Sequence, residues 1–150
     1  MARTAVEIVE LIRQRLVAAD MSGFADLFAE DGVFEYPFGV PGMPAVYQGR
    51  ETIRRHVVDS RRDIKALLAI DDIVSTVHET SDPNVVITES DVLGTTLATG
   101  KSFRFRSGVS VVTVRDGEVV GFRDYMNVLG AAEITGGQGR LVRDAVASGE

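Results

Sequence analysis

The sequence contains no cysteine, and only two of its 150 residues are histidine. Without thiols the chain forms neither a disulfide framework nor a thiolate metal site. Two histidines that stand far apart in the sequence do not make an imidazole cluster. We therefore predict a functional site without a metal or another cofactor.

Positive charge is also scarce, with 16 lysines and arginines against 22 aspartates and glutamates. The basic residues are scattered rather than gathered into one stripe, which excludes nucleic acid and anionic membranes as expected partners. No apolar run approaches the roughly 18 residues that a membrane-spanning helix needs. The first residues lead into an amphipathic segment rather than an apolar secretion signal, so we expect a cytoplasmic protein.

The first half of the chain has helical periodicity. Apolar residues recur at helical spacing over residues 4–19, and Ser22 is the expected cap of a short second helix over residues 23–30. A strand is predicted over residues 33–38 and a third helix over residues 49–62. The segment between them, residues 37–44, has three prolines and two glycines, which predicts a semi-rigid loop at the rim of a pocket.

The second half of the chain is strand-like. Strands are predicted over residues 67–79, 85–98, 102–115 and 118–129, and the short turns between them favour an antiparallel meander. Helices followed by a meander indicate the α+β class. We expect a cone-shaped curved antiparallel sheet that wraps around the N-terminal helices and encloses a pocket. This domain spans residues 1–135, and residues 136–150 form a flexible tail.

Carboxylates on apolar strand faces are the strongest functional signal. Asp124 alternates with Phe122 and Met126 in the last strand, and Asp91 and Glu89 share a face of an earlier strand with aliphatic neighbours. Burying an ionised carboxylate is costly unless it is paired, so each acid has a partner, a raised pKa or a wet cavity. Two such acids in one pocket would donate and accept protons.

The alternative interpretation is that these acids lie at strand ends or on a solvent-exposed face and pair with arginines. Arg106 is the residue that would bridge Asp91 and Asp124 if it pointed inward.

Aromatic residues supply the expected pocket wall. Phe34, Tyr36 and Phe38 share one face of the predicted first strand, and Tyr36 adds a hydroxyl donor. Ordinary core packing is the alternative for Phe34. The histidines, His56 and His78, are interpreted as surface or capping residues.

Two sequence segments carry a family resemblance. Residues 27–39, which read LFAEDGVFEYPFG, and residues 48–53, which read QGRETI, resemble the nuclear transport factor 2-like superfamily, which includes SnoaL-like cyclases and ketosteroid isomerases. The resemblance covers about residues 4–130 and implies the same α+β cone. The three catalytic positions of ketosteroid isomerase are occupied here by Leu16, Tyr36 and Ser110, so that enzyme's mechanism is not expected.

A second resemblance is to limonene-epoxide hydrolase. It is carried by residues 88–93 (TESDVL), 99–103 (TGKSF) and 121–127 (GFRDYMN). It implies that Asp91 and Asp124 match the two catalytic aspartates of that family. The family's bridging arginine falls at Glu89, and its water-holding tyrosine and asparagine fall at Phe34 and Tyr36, so the hydrolase set is incomplete.

These observations predict an enzyme that performs acid/base chemistry on a hydrophobic small molecule, by epoxide hydrolysis, cyclisation or isomerisation. The predicted catalytic residues are Asp91, Asp124 and Tyr36, and the predicted substrate-binding residues are Phe34, Phe38, Glu89, Arg106, Phe122 and Met126. The alternatives are a non-catalytic binder of hydrophobic ligands and an assembly module that forms a homodimer through the exposed sheet face.

Overall fold

The computed structural model describes residues 1–40, 42–137 and 147. The described elements follow the predicted order of two helices, a strand, a third helix and four strands, with two additions, β2 and α4. They are α1 (Ala5–Val17), α2 (Met21–Asp26), β1 (Phe28–Glu35), β2 (Val46–Gln48), α3 (Arg50–Lys65), β3 (Leu68–Glu79), β4 (Val85–Thr96), β5 (Ser102–Arg115), β6 (Glu118–Met126) and α4 (Val128–Thr135). The predicted tail lies outside the described residues except for residues 136, 137 and 147.

Helix α1 begins with a capping box. The Thr4 side chain accepts a hydrogen bond from the Glu7 backbone N–H, and the Glu7 carboxylate accepts one from the Thr4 backbone N–H at 2.7 Å. These bonds satisfy two backbone donors that a helix start otherwise leaves free. The buried residues Ile8, Val9 and Ile12 lie on one side of the helix and pack into the core. The predicted amphipathic helix is therefore confirmed.

Helix α2 is shorter than predicted and has a different cap. The Asp20 carboxylate, not Ser22, accepts the hydrogen bond from the Gly23 N–H at 2.8 Å. The helix ends at Asp26 because residues from Phe28 onward belong to β1, where Phe28 pairs with Val119 of β6. Sheet pairing and complete burial of Phe28 thus override the local helical pattern.

The six strands form one curved, unclosed sheet in the order β2-β1-β6-β5-β4-β3. Strands β3 to β6 form the predicted antiparallel meander. The sheet is nevertheless mixed, because β1 pairs with β6 in parallel. No hairpin joins these two strands, so no tight turn forces them to run in opposite directions. The three-residue β2 was missed because it is too short to show an alternating pattern.

The two faces of the sheet have different surroundings. One face, here called the inner face, carries Val86, Val112 and Phe122, which are buried against the helices. The opposite face is called the outer face. Register shifts in the β3–β4, β4–β5 and β5–β6 pairings mark bulges, which bend strands and increase their twist. The sheet consequently curves around the core formed with α1, α2 and α3.

The last predicted strand ends early. Strand β6 stops at Met126 because the Asn127 side chain accepts a hydrogen bond from the Gly130 N–H at 2.9 Å and caps α4. Asn127 also anchors this point to β5 by donating from Nδ2 to the Arg106 carbonyl at 2.8 Å. Among the described residues, no helix combines the length and apolar character needed to cross a membrane.

Candidate functional site

Asp124 lies on the inner face of β6. It follows the buried Phe122 by two residues, so both side chains point to the same side of the sheet, and its cross-strand partner is Ser110. Burial raises the pKa of the Asp124 carboxyl from 3.8 to about 6. Within the described part of the chain, no side chain or backbone group forms a hydrogen bond or ion pair with this carboxyl. Asp124 is therefore a partly buried acid that titrates close to neutral pH.

Tyr36 provides a hydroxyl in the same interior. Its side chain is 7% exposed, and its hydroxyl lies 2.7 Å from His56 Nε2. Burial raises the pKa of the Tyr36 hydroxyl far above its ordinary value of 10.0, and the nearby negative charge of Asp124 makes a second, smaller contribution in the same direction. Tyr36 therefore remains protonated near neutral pH and can donate a hydrogen bond.

His56 holds the Tyr36 hydroxyl from helix α3. Its ring stacks on Tyr47 with centroids 3.9 Å apart, and its Nδ1 lies 3.4 Å from the Ser60 hydroxyl. Burial lowers the pKa of His56, against a smaller opposite effect of Asp59, so the neutral imidazole is favoured. A neutral ring can accept from Tyr36 or donate to it, depending on its tautomer.

The prediction that His56 is a surface or capping residue is wrong. The sequence carried a signal for its true position, because His56 follows Ile53 by three residues and precedes Val57, and both of these are buried. We call Asp124, Tyr36 and His56 together the inner triad.

Aromatic rings surround the inner triad. Phe34 stacks on Phe122 with centroids 5.1 Å apart and an interplanar angle of 5°, and it meets Tyr36 edge-on at 5.0 Å. Phe34 and Phe122 are both buried in the core, and Met126 packs against that core. The structure thus places three of the predicted substrate-binding residues on the inner side, together with Tyr36 and Asp124.

The expected convergence of Asp91 with Asp124 is wrong. Asp91 pairs in register with Arg106, whereas the adjacent Val92 is buried on the inner side. Because side chains alternate along a strand, Asp91 points to the outer face. There its carboxylate accepts hydrogen bonds from Arg106 and Arg104, which lower its pKa in that order. The catalytic role predicted for Asp91 stays untested, but the two aspartates lie on opposite faces.

Glu89 and Arg106 belong to the same outer-face group. The Glu89 carboxylate lies 2.7 Å from His78 Nε2 and 3.0 Å from Arg106 Nη1. These contacts lower the pKa of Glu89, and the hydrogen bond with His78 has the largest effect. Arg106 therefore bridges Asp91 and Glu89 rather than the two aspartates. This arrangement matches the alternative interpretation from the sequence, in which acids on an exposed face pair with arginines. The structure does not bring these predicted substrate-binding residues to Asp124.

Phe38 is also separated from the inner triad. Its side chain is 83% exposed and meets Tyr125 edge-on at 5.0 Å. The expected alternation of Phe34, Tyr36 and Phe38 fails because β1 ends at Glu35 and Pro37 follows.

Two other features of the described residues bear on ligand binding. No group of three or more His, Cys, Asp or Glu side chains there is arranged to hold a metal ion. A groove of about 240 Å³ lies between α1 and β3, and its lining includes Arg13, Asp72 and Ser75 but no member of the inner triad. The enclosed pocket expected around Asp124 therefore stays a prediction.

Comparison with known proteins agrees with this architecture. The α+β fold with its curved, unclosed mixed sheet is that of the nuclear transport factor 2-like superfamily, and a solved structure with a ketosteroid isomerase-like fold superimposes on the chain with a TM-score of 0.65. Within it, the model of the SnoaL-like domain family matches residues 8–122, and the chain belongs to this family.

Three relatives illustrate the range of the match. The solved structure of a candidate isomerase from Bacillus subtilis is 30% identical in sequence to this chain and superimposes on it with a TM-score of 0.76. The match covers 89% of this chain and 93% of the isomerase chain. An uncharacterized PhzA/B-like protein of Pseudomonas aeruginosa is 32% identical over 133 residues, which are 89% of this chain and 91% of its own. A phenazine biosynthesis-related protein of Pseudomonas aeruginosa is 25% identical with a TM-score of 0.59, covering 89% of this chain and 85% of its own.

Proposed function

We propose that this protein is an enzyme that performs acid/base chemistry on a hydrophobic small molecule, with Asp124 as the general base and Tyr36 as the hydrogen-bond donor. The observation that supports this most is the partly buried Asp124 carboxyl, which has no partner among the described residues and a pKa of about 6, in the same interior as a protonated tyrosine. A carboxyl that titrates near neutral pH is suited to taking a proton from a substrate and returning it.

The proposed chemistry starts with ionised Asp124. The carboxylate removes a proton from a carbon next to a substrate carbonyl, and the C–H electron pair moves toward the carbonyl oxygen. The Tyr36 hydroxyl stabilises the negative charge that develops on that oxygen. In the tautomer with the proton on Nε2, His56 donates to the Tyr36 oxygen at 2.7 Å, which orients the hydroxyl and leaves its proton for the substrate oxygen. In a β,γ-unsaturated ketone, return of the proton from Asp124 to the γ carbon of the dienolate completes an isomerisation. In a substrate with a second carbonyl, the enolate carbon attacks that carbonyl, and Asp124 returns the proton to the alkoxide oxygen that forms, which completes a cyclisation.

Isomerisation or cyclisation is favoured over epoxide hydrolysis. The hydrolase mechanism implied by the sequence resemblance needs two aspartates in one site, and Asp91 lies on the other face of the sheet. The candidate isomerase with 30% identity is consistent with isomerisation, and the phenazine biosynthesis-related relative is consistent with chemistry on a small molecule.

The experiment is a turnover screen with cyclic and polycyclic ketones, followed by Asp124→Asn on the best substrate. We expect kcat/KM to fall by about 10²- to 10⁴-fold, the usual contribution of a positioned acid or base. Asp91→Asn is the matched control and should change kcat/KM by less than about twofold. Equal activity of wild type and Asp124→Asn would disprove the assignment of the base.

A second candidate function is non-catalytic binding of a hydrophobic ligand. It is favoured by the aromatic lining around Phe34 and Phe122 and by the position of Asp91 outside the interior. In this case a ligand recovered from the protein would be chemically unchanged, and Phe122→Ala would weaken binding while Asp124→Asn would not.

We also propose that the protein forms a homodimer through apolar side chains on its surface. Phe38, Val46 and Val74 are exposed large hydrophobic residues, and Phe38 packs on Tyr125 of β6. Light scattering should give a mass of about twice 16.2 kDa, and a monomer at high protein concentration would rule out this assembly.

A further inference from the structure

Tyr47 lies next to the inner triad without belonging to it. It is the middle residue of the three-residue strand β2 and pairs in register with Phe34 of β1. Its neighbours Val46 and Gln48 are exposed, whereas Tyr47 is half-buried and packs against the core. Because side chains alternate along a strand, Tyr47 turns toward the inner side of the sheet, as Phe34 does.

Ring contacts hold the Tyr47 side chain at the inner triad. Its ring covers one face of the His56 imidazole, with centroids 3.9 Å apart and an interplanar angle of 16°. It also meets Tyr36 edge-on, with centroids 6.2 Å apart and an interplanar angle of 84°. The Tyr36 hydroxyl lies at the edge of the same imidazole, 2.7 Å from Nε2. Both tyrosines are therefore held against one histidine, within reach of a single ligand.

The Tyr47 hydroxyl is available to a ligand. Among the described residues it makes no hydrogen bond, and it is not sealed off from its surroundings. Burial raises the pKa of Tyr47, so the hydroxyl keeps its proton near neutral pH. An ionised Tyr47 would raise the pKa of Tyr36, which places the two hydroxyls near each other. A protonated hydroxyl without an acceptor in the protein is a hydrogen-bond donor for a bound molecule.

We propose that the Tyr47 hydroxyl is a second hydrogen-bond donor to the substrate oxygen, beside the Tyr36 hydroxyl. A carbonyl or enolate oxygen has two lone pairs and accepts two such bonds. Donors that are already in place when negative charge develops on this oxygen lower the barrier of the reaction. The inference rests on the proposed function, because the charge develops when Asp124 removes a proton. Tyr47 is then a further catalytic residue.

The test uses 4-nitrophenolate, whose charged oxygen mimics the enolate oxygen, and 4-nitroanisole, in which a methyl group removes the charge. Both are titrated by calorimetry into Asp124→Asn, at a pH at which the phenol is ionised. The asparagine represents the base after it has taken the proton, and it removes the repulsion between an ionised Asp124 and the anion.

In this background, Tyr47→Phe is expected to weaken the binding of 4-nitrophenolate by about 10- to 100-fold, the value of one hydrogen bond to a charged group. The binding of 4-nitroanisole should change by less than about twofold, because the phenylalanine ring still stacks on His56. Tyr36→Phe should weaken the binding of 4-nitrophenolate to a similar extent.

Tyr125→Phe is the matched control. Tyr125 follows Asp124 directly in β6, so it points to the outer face, where its ring meets Phe38. Its substitution should leave the affinity for 4-nitrophenolate unchanged. An unchanged affinity in Tyr47→Phe, an equal loss for 4-nitroanisole, or no binding of 4-nitrophenolate in the millimolar range would overturn the proposal.

Turnover separates this inference from the proposed function. On the best substrate of the ketone screen, Tyr47→Phe is expected to lower kcat by about 10- to 100-fold and to change KM by less than about twofold, as the loss of a bond that forms with the developing charge does. Full turnover by Asp124→Asn would refute the base, while the phenolate titration would still decide the role of Tyr47. Phenolate binding that depends on Tyr36 but not on Tyr47 would refute only the second donor.

Discussion

The Tyr36 hydroxyl lies 2.7 Å from His56 Nε2, and this bond links the end of β1 to helix α3 inside the protein. The two residues should therefore be energetically coupled. A double-mutant cycle with Tyr36→Phe and His56→Leu is expected to give a coupling free energy of about 1 kcal/mol in urea unfolding, the net value of one partly buried hydrogen bond. Additive effects of the two substitutions would mean that the bond contributes nothing to stability.

Two phenylalanines should differ sharply in their contribution to folding. Phe28 is 0% exposed and Phe38 is 83% exposed. Phe28→Ala is expected to lower the free energy of unfolding by about 3–5 kcal/mol, because it leaves a cavity in the core. Phe38→Ala should change it by less than about 0.5 kcal/mol in the same denaturation experiment. A large loss for Phe38→Ala in the monomer would contradict its exposed position.

The raised pKa of Asp124 makes stability depend on pH with a defined sign. Between its ordinary value of 3.8 and about 6, the unfolded state releases the Asp124 proton while the folded state keeps it. Rising pH in this window therefore favours unfolding. Relative to Asp124→Asn, wild type should lose on the order of 2 kcal/mol between pH 4 and pH 7, measured by urea unfolding at each pH. A constant difference between the two proteins would exclude the raised pKa.

Asp91 should show the opposite dependence. Arg106 and Arg104 hold the pKa of Asp91 below its ordinary value of 3.8, so the stabilisation that they provide is complete above that value and is lost as the pH falls below it. The wild type should therefore be more stable than Asp91→Asn at neutral pH and should lose this difference in stability only at strongly acidic pH, as followed by thermal unfolding. A difference that instead disappears as the pH rises toward neutral would place Asp91 in a buried environment.

Local periodicity explains how much of the fold was predictable. The buried stripe of α1, the inner side of α3 and the alternation in β3 to β6 each involve many residues, so the α+β class and the meander could be predicted. The parallel pairing of β1 with β6 could not, because it joins segments far apart in sequence. The limits of α2 also depended on tertiary contacts of Phe28.

The site was harder to predict because strand alternation relates residues only within one strand. It correctly grouped Asp124 with Phe122 and Met126, and Asp91 with Glu89. It did not show which face of β4 turns toward the helices. That choice is made by Val86 and Val92, which are buried on the side opposite Asp91. His56 was missed because a polar residue on the inner side of a helix was interpreted by its type rather than by its position.

The most direct measurement is a carbon-13 NMR titration of the aspartate carboxyl groups, with Asp124 assigned from the signal lost in Asp124→Asn. The structure predicts that Asp124 titrates at about 6 while Asp91 titrates below 3.8. An Asp124 carboxyl that titrates at or below 3.8 would show a solvated or paired group and would contradict the proposed base.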